Sequence, residues 1–370
     1  MKISPLVKRN ALRILPFGCI WLLFACIFLW IEYAAIGDIT NTPASAIKIT
    51  PKILAFALTG ITLIGLLVGS IEILFLNKIF EKKSLLTKIV SKFLIYLFIF
   101  FLIIFINYPI AVSLELNISV FHPTVWSRYV DFLFSITHLS TVIQLGVSLL
   151  FSLLYAEISE NLGQNVLLNF FTGKYHKPVS ETRIFMFVDM KSSTAIAEKL
   201  GHIKYFDFLK DYYFNLSNAI IKNQGEVYQY IGDEIVISWN FKAGIKQNNC
   251  INCFFDMKLD LEKKKDVYLK TYNIFPEFKA AIHYGQVTTG EIGALKKEIF
   301  FTGDVLNTTA RIQGLCNIYN AELIISQNLI EHLNLTKDFT IRKLKEETLR
   351  GKKESIDLFE VEKIGEQQLL

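Results

Sequence analysis

Apolar positions run almost unbroken through the first 156 residues and become periodic afterwards. Four stretches, near Phe17–Ile36, Ile53–Leu76, Phe93–Leu114 and Phe132–Ala156, have the length of about 20 residues that a helix needs to cross a bilayer. The first is too long for a signal peptide and ends in no small-residue cleavage site. Basic residues gather before it (Lys2, Lys8, Arg9, Arg13) and between the second and third stretches (Lys78, Lys82, Lys83, Lys88, Lys92). The other two loops hold Lys48 and Lys52, and Arg128. This bias predicts that both chain ends are cytoplasmic. Glu32 and Glu72 are expected near helix ends, within reach of the interface. The fourth stretch carries Thr137, Thr141, Gln144 and Ser148 at helical spacing beside His138. That stripe reads as polar packing between helices rather than as a haem site, which would need more histidines.

After Ala156 the pattern changes. Residues 157–183, "EISENLGQNVLLNFFTGKYHKPVSETR", continue the fourth helix and then turn polar, as a linker would. "RIFMFVDM" reads as a buried strand, and helices follow over "SSTAIAEKLG" and "YFDFLKDYYFNLSNAIIKN". "EVYQYIGDEIVISWN" alternates on both sides of Gly232-Asp233, the mark of a hairpin. A helix over roughly Ala243–Lys270, a strand pair in "EFKAAIHYGQVTTGEIG", the strand "EIFFTG", the helix "DVLNTTARIQGLCNIY" and the strand "AELIIS" complete the order. Strand, helix, strand, strand, helix, strand is the ferredoxin-like (βαββαβ) α+β arrangement. It predicts a cytoplasmic N-terminus (1–16), an all-α transmembrane bundle of four helices (17–156), a linker (157–183) and one further domain (184–365).

Composition agrees with this division. A mean hydropathy of +0.37 is high for a purely soluble enzyme, and a net charge of +5, partly made by lysines flanking the apolar segments, does not argue for nucleic acid. Of the five cysteines, Cys250 and Cys253 form "CINC" without a second pair to complete a zinc set, so they read as helix packing.

The strand order carries the chemistry. It brings Asp189, at the end of the first strand, close to Asp233 in the hairpin turn. Two aspartates sharing two divalent cations suit in-line chemistry at phosphorus, and Mg²⁺ keeps waters and so needs few protein ligands. The main-chain carbonyl of Met190 can add one. "NTTAR" sets Asn307 and Arg311 at i and i+4 on one helix face. The Arg311 fork suits phosphate, and Asn307 can orient a sugar. Lys352, in "LRGKKESIDLFEV", stands at a loop position suited to terminal phosphates.

Over about residues 184 to 362 these motifs resemble the class III nucleotide cyclases, through "FVDMKSST", "YIGDEIVISW", "AAIHYGQVTTGEIG", "GDVLNTTAR" and "RGKKESIDLFEV". The resemblance implies conversion of ATP or GTP to the 3′,5′-cyclic nucleotide and pyrophosphate. It implies two Mg²⁺ or Mn²⁺ ions on Asp189 and Asp233, ribose and transition-state contacts from Asn307 and Arg311, and phosphate binding by Lys352. It also implies a homodimer in which each site draws on both chains, here at a plasma or inner cell membrane. The base-reading positions depart from the family. Gln229 stands where adenylate cyclases usually have Lys and guanylate cyclases Glu, and Phe300, with Thr302 close by, stands where Asp or Thr is usual for adenine. Adenylate cyclase activity is the expectation, with guanylate or dual specificity as the alternative. The diguanylate cyclase hairpin is a weaker match, since that family lacks the "NTTAR" helix. A silent nucleotide-binding receptor would be expected only if a metal Asp or the Arg were missing.

Overall fold

The computed structural model describes residues 4–36, 47, 50–80, 85–162, 167, 169, 172–295, 297–335, 338–344 and 355–364. Lys2, Lys48, Lys82, Lys83 and Lys352 lie outside them. Two compact units divide the chain, built mainly from Val7–Leu168 and Asn169–Leu370.

In the first unit four helices are long and apolar enough to cross a membrane: Pro5–Ala34, Pro51–Leu76, Val90–Leu116 and Ile136–Glu160. The fourth begins later than its hydropathy predicts, because Phe132 belongs to a separate helix, Pro123–Leu133. Ser135 makes the break. Its hydroxyl donates to the Phe132 carbonyl at 2.7 Å and accepts from the His138 amide at 3.2 Å, capping the new helix. The His138 ring lies 2.9 Å from the Leu133 carbonyl.

Close packing of the first two spans depends on small residues. A Cβ on Gly65 would stand 2.7 Å from the Trp21 ring, and one on Gly69 would stand 2.7 Å from the Phe17 ring. Phe17 and Trp21, one turn apart and both fully buried, therefore fill the hollows that two glycines one turn apart leave. Trp21 also donates to the Ser152 hydroxyl at 2.9 Å, which joins the first span to the fourth.

Glu72 does not reach an interface, as its place near a helix end had predicted. It is 0% exposed, pairs with Lys92 and accepts from the Tyr96 hydroxyl at 2.8 Å. A π-helical turn, Glu72–Leu76, ends the second helix there. Lys92, expected in a loop, lies inside the helix Leu85–Leu116. Mutual neutralisation explains both departures: each charge is tolerable in an apolar bundle only beside the other.

The second unit is an eight-stranded sheet: β1 (Val179–Met190), β2 (Glu226–Ile231), β3 (Glu234–Asn240), β4 (Phe278–Ile292), β5 (Glu298–Thr302), β6 (Leu323–Ser326), β7 (Phe339–Lys343) and β8 (Leu358–Lys363). The order is β2-β3-β1-β4-β6-β8-β7, with β5 paired to β4. Antiparallel β2-β3-β1-β4 is the ferredoxin-like core, and β6, β8 and β7 extend it. Residues 184–188 of β1 are buried on both faces. Ile184, Met186 and Val188 meet Phe208, Tyr212 and Leu216 of the helix His202–Lys222, and Phe254 and Met257 of the helix Asn249–Glu262. Phe185 and Phe187 meet Val236, Val287, Phe301 and Val305 on the other side. Cys250 and Cys253 are buried in the first of these clusters, as packing residues.

Two sequence expectations change. "EFKAAIHYGQVTTGEIG" is not a strand pair but one 15-residue strand, long enough to serve β1, β5 and β6 together. The helix expected over Ala243–Lys270 is broken into Phe241–Ile245, Asn249–Glu262 and Lys265–Tyr272, with Gln247 and Asn248 at φ of 54° and 56°. An α-helix cannot continue through the left-handed region.

The glycine packing generates a test. Gly65→Val should lower the thermal stability of the full chain in detergent by about 1–3 kcal/mol, the usual cost of overpacking. Gly146→Ala, where no atom stands within 4 Å of the added Cβ, should leave it unchanged or slightly raised. Equal melting of both variants and the parent would mean that Trp21 and Phe17 are not held against the second helix.

Candidate active site

The alternation of β1 decides where Asp189 points. Phe185 and Phe187 face the Val236–Phe301 cluster, so Asp189, two residues on, shares their face. The β1–β3 register pairs Val188 with Ile235, and its continuation sets Asp189 beside Glu234. On the other side Asp189 pairs with Lys279 of β4, whose ammonium lies 3.2 Å from Asp189 Oδ2 and donates to Asn317 at 2.8 Å. Glu234, Asp189 and Lys279 thus form one row across three strands.

Asp233 joins them from the hairpin tip. Ile231 pairs with Glu234, which leaves Gly232 and Asp233 as a two-residue loop, and Gly232 supplies the positive φ (+65°) that such a loop requires. Tyr213, on the helix beneath, donates to the Gly232 carbonyl at 2.8 Å and packs its ring 4.5 Å from that of Tyr230. The tip is therefore clamped. Asp233 is half-buried, and its Oδ2 is buried without a hydrogen-bond partner.

An orphaned carboxylate oxygen beside two other acids is a deficit of positive charge. Glu234 records it: burial, then Asp189, then Asp233 push its carboxyl up to about 7 from the ordinary 4.5. The donor set fits a hard divalent cation. Among the described residues no three His, Cys, Asp or Glu side chains form a ready cage. The fit is therefore to ions that complete their shell with water or phosphate, as Mg²⁺ does. Met190 is buried by its side chain, so its carbonyl is the only group that it can offer.

The other sequence candidates stand apart. Asn307 is exposed and Arg311 half-buried on the helix Asp304–Gly314, whose buried side is Val305, Thr308, Thr309, Ile312 and Gln313. Neither makes a hydrogen bond or ion pair with Asp189 or Asp233 among the described residues. Gln229 is exposed on β2, and Phe300 (44% exposed) and Thr302 lie on β5. An extra residue at Tyr228 bulges β2, so that Tyr228 packs on the Phe185 cluster and Gln229 pairs with Val236 of the same face. Sequence reading missed Lys279. Its signal was a lysine at the second position of a strand whose first five residues, "FKAAI", are otherwise apolar, which is where a buried cation needs an acid.

Residues 175–362 match the family described as "Adenylate and Guanylate cyclase catalytic domain". The chain is 35% identical over 176 residues to adenylate cyclase 2 of Rhizobium meliloti (strain 1021), covering 48% of each. It is 26% identical over 185 residues to an adenylate cyclase of Anabaena cylindrica, covering 48% of this chain and 36% of that protein. The chain spans about half the length, or less, of these curated relatives. A solved bacterial light-regulated adenylyl cyclase shares the fold at a TM-score of 0.51 and 20% identity, covering 60% of this chain and 64% of that one. Fold, strand-end acids and family agree, and the chain belongs to the adenylate and guanylate cyclase catalytic-domain family.

The crowding of acids has a pH signature. Unfolded, Glu234 releases its proton near 4.5; folded, it holds it to about 7. Folding takes up a proton between these values, so the stability that this group contributes falls as pH rises through the window. In EDTA, Glu234→Gln should raise the melting temperature at pH 8 and leave it nearly unchanged at pH 5. A gain of equal size at both pH values would show that charge is not the cause.

Proposed function

We propose that this chain is a membrane-anchored adenylate cyclase of intracellular signalling. It would convert ATP to 3′,5′-cyclic AMP and pyrophosphate at sites shared between two copies. The observation that carries the reading is the buried, unpartnered Oδ2 of Asp233 next to Asp189. Family membership and relatives named as adenylate cyclases support it. In this reading residues 17–156 span the cell membrane, 157–183 connect, and 184–365 catalyse, with both chain ends in the cytoplasm.

Asp189, Asp233 and the Met190 carbonyl would hold two Mg²⁺ or Mn²⁺ ions. When bound, such ions activate a hydroxyl and offset charge on the phosphates. Lys279, whose ammonium lies beside Asp189, would add a fixed positive charge next to the carboxylates that hold the ions. Arg311 offers a two-pronged donor for charge developing on phosphorus oxygens, Asn307 can orient the ribose, and Lys352 would bind the terminal phosphates. Because Asn307 and Arg311 face away from their own sheet, a partner's aspartates are their natural counterpart. The β2 edge, with Val227, Tyr230 and Ile231 exposed, offers a surface for that partner. Gln229, Phe300 and Thr302 would meet the base. An amide can pair with adenine or, flipped, with guanine, so guanylate or dual specificity is the second reading.

The purified chain with Mn²⁺ should form cyclic AMP from ATP faster than cyclic GMP from GTP. Asp189→Asn and Asp233→Asn should each lose on the order of 10³-fold or more. Folded variants that keep substantial turnover would remove these residues from the metal site.

Sharing of the site is tested by co-expressing Asp233→Ala and Arg311→Ala chains under different tags. The isolated mixed dimer holds one doubly broken site and one intact site, and should recover about half the parental rate, whereas each variant alone is inactive. A mixed dimer as inactive as its parents would mean that both residues serve one chain.

A further inference from the structure

Arg183 lies at the other end of β1 from Asp189, on the same face. It is 4% exposed, and a buried guanidinium persists only with partners. Nη2 donates to Glu226 at 2.8 Å and to Ser238 at 2.9 Å. Nη1 reaches Glu181 at 3.5 Å, and the guanidinium carbon stands 4.7 Å over the Phe301 ring. Glu181 in turn accepts from Thr289 at 2.7 Å and from the Tyr175 hydroxyl at 3.3 Å. Tyr175 is buried, and its carbonyl accepts from the Glu291 amide at 3.0 Å. One cation therefore touches β2, β3 and β5 directly. Through Glu181 it also reaches β4 and the segment by which the chain enters the sheet.

Two of the groups held in this way carry the base-reading candidates. Phe301 stands between Phe300 and Thr302 in β5. Its ring packs edge-on against Tyr228 at 4.8 Å and Phe185 at 5.6 Å, and its amide donates to the Tyr228 hydroxyl at 3.4 Å. Tyr228 is the bulge residue immediately before Gln229. Movement of the guanidinium would therefore shift Phe301 and Tyr228, and with them all three side chains proposed to meet the base.

We propose that Arg183 is a positioning residue for base selection, joining the entry segment at Tyr175 to the strands that present Gln229, Phe300 and Thr302. This rests on the nucleotide-cyclase reading above. A lysine would keep the charge but could not reach Glu226 and Ser238 from one nitrogen and Glu181 from another while lying over the Phe301 ring. A network that served stability alone would have no bearing on which base is preferred.

The test uses the purified full chain and compares kcat/KM for ATP with that for GTP, or GTP inhibition constants where its turnover is too slow. Arg183→Met should change the ATP/GTP ratio by about fivefold or more, and Arg183→Lys by less, since hydrogen-bonded geometry at the base is altered rather than abolished. Tyr228→Phe and Glu226→Gln should move the ratio in the same direction. Equal losses for both nucleotides, with the ratio unchanged in folded variants, would overturn the proposal. If the Arg183 variants do not fold, Tyr228→Phe and Glu226→Gln decide by the same criterion, since the Glu226 side chain is 46% exposed and its change is mild. A parent protein that forms no cyclic nucleotide from either substrate would overturn the cyclase reading itself. An active parent with constant ratios overturns the role of Arg183 alone.

Discussion

Everything at the candidate site hangs on the register of a single strand. β1 is buried on both faces and hydrogen-bonded on both edges, so its side chains have no freedom to exchange sides. A slip by one residue would drive Asp189 into the cluster of Phe208, Tyr212 and Phe254 and turn Met190 toward the acids. Burial of a carboxylate among those rings would cost far more than the sheet could recover. The aromatic packing of Phe185 and Phe187 is thus what aims Asp189, although neither ring touches the chemistry. The same rows align Glu234 and Lys279 with it, one from each neighbouring strand.

The order of the elements was legible because alternation and helical spacing are local signals. Asp189 and Asp233 were found together by strand order alone, since the ferredoxin-like arrangement makes the first strand and the hairpin neighbours. What escaped was lateral. Lys279 pairs with Asp189 across 90 positions, and nothing in "EFKAAIHYG" says which acid it faces. Arg183 looked like the end of a linker because its partners, Glu226, Ser238 and Phe301, are scattered along the chain. The long helix after the hairpin was misjudged at Gln247 and Asn248, where two ordinary polar residues take a backbone conformation that propensity alone does not announce. Glu72 was misplaced for a related reason: hydropathy measures distance along a helix and is blind to a partner on the next one.

The site candidates also divide by how they are held. Asp233 is fixed by a tight turn and by Tyr213, and Asp189 by the core, so the acids are rigid before any cation arrives. Asn307 and Arg311 sit on the outer side of a helix whose inner side is locked by Val305, Thr309 and Ile312. Their backbone is as firm as that of the acids, while their side chains are left to reach outward. Charge that repels itself on one surface and donors without acceptors on another are complementary lesions in an isolated chain. In the proposed dimer, each surface would face the other, with no change of fold in either chain.

The π-helical turn at Glu72–Leu76 has a geometric meaning beyond the ion pair that begins it. Such a turn accommodates one residue more than α geometry allows. Each residue of an α-helix advances the azimuth by about 100°, so the extra residue sets the phase of whatever follows relative to whatever precedes. Were Glu72–Leu76 wound as α-helix with every residue kept, the segment after them would turn against the one before by about that angle. Either Glu72 would leave Lys92 and Tyr96, or the segment from Asn77 onward would present a different face. The end of the second helix is therefore a phase-setting joint, with the Glu72–Lys92 pair as its detent.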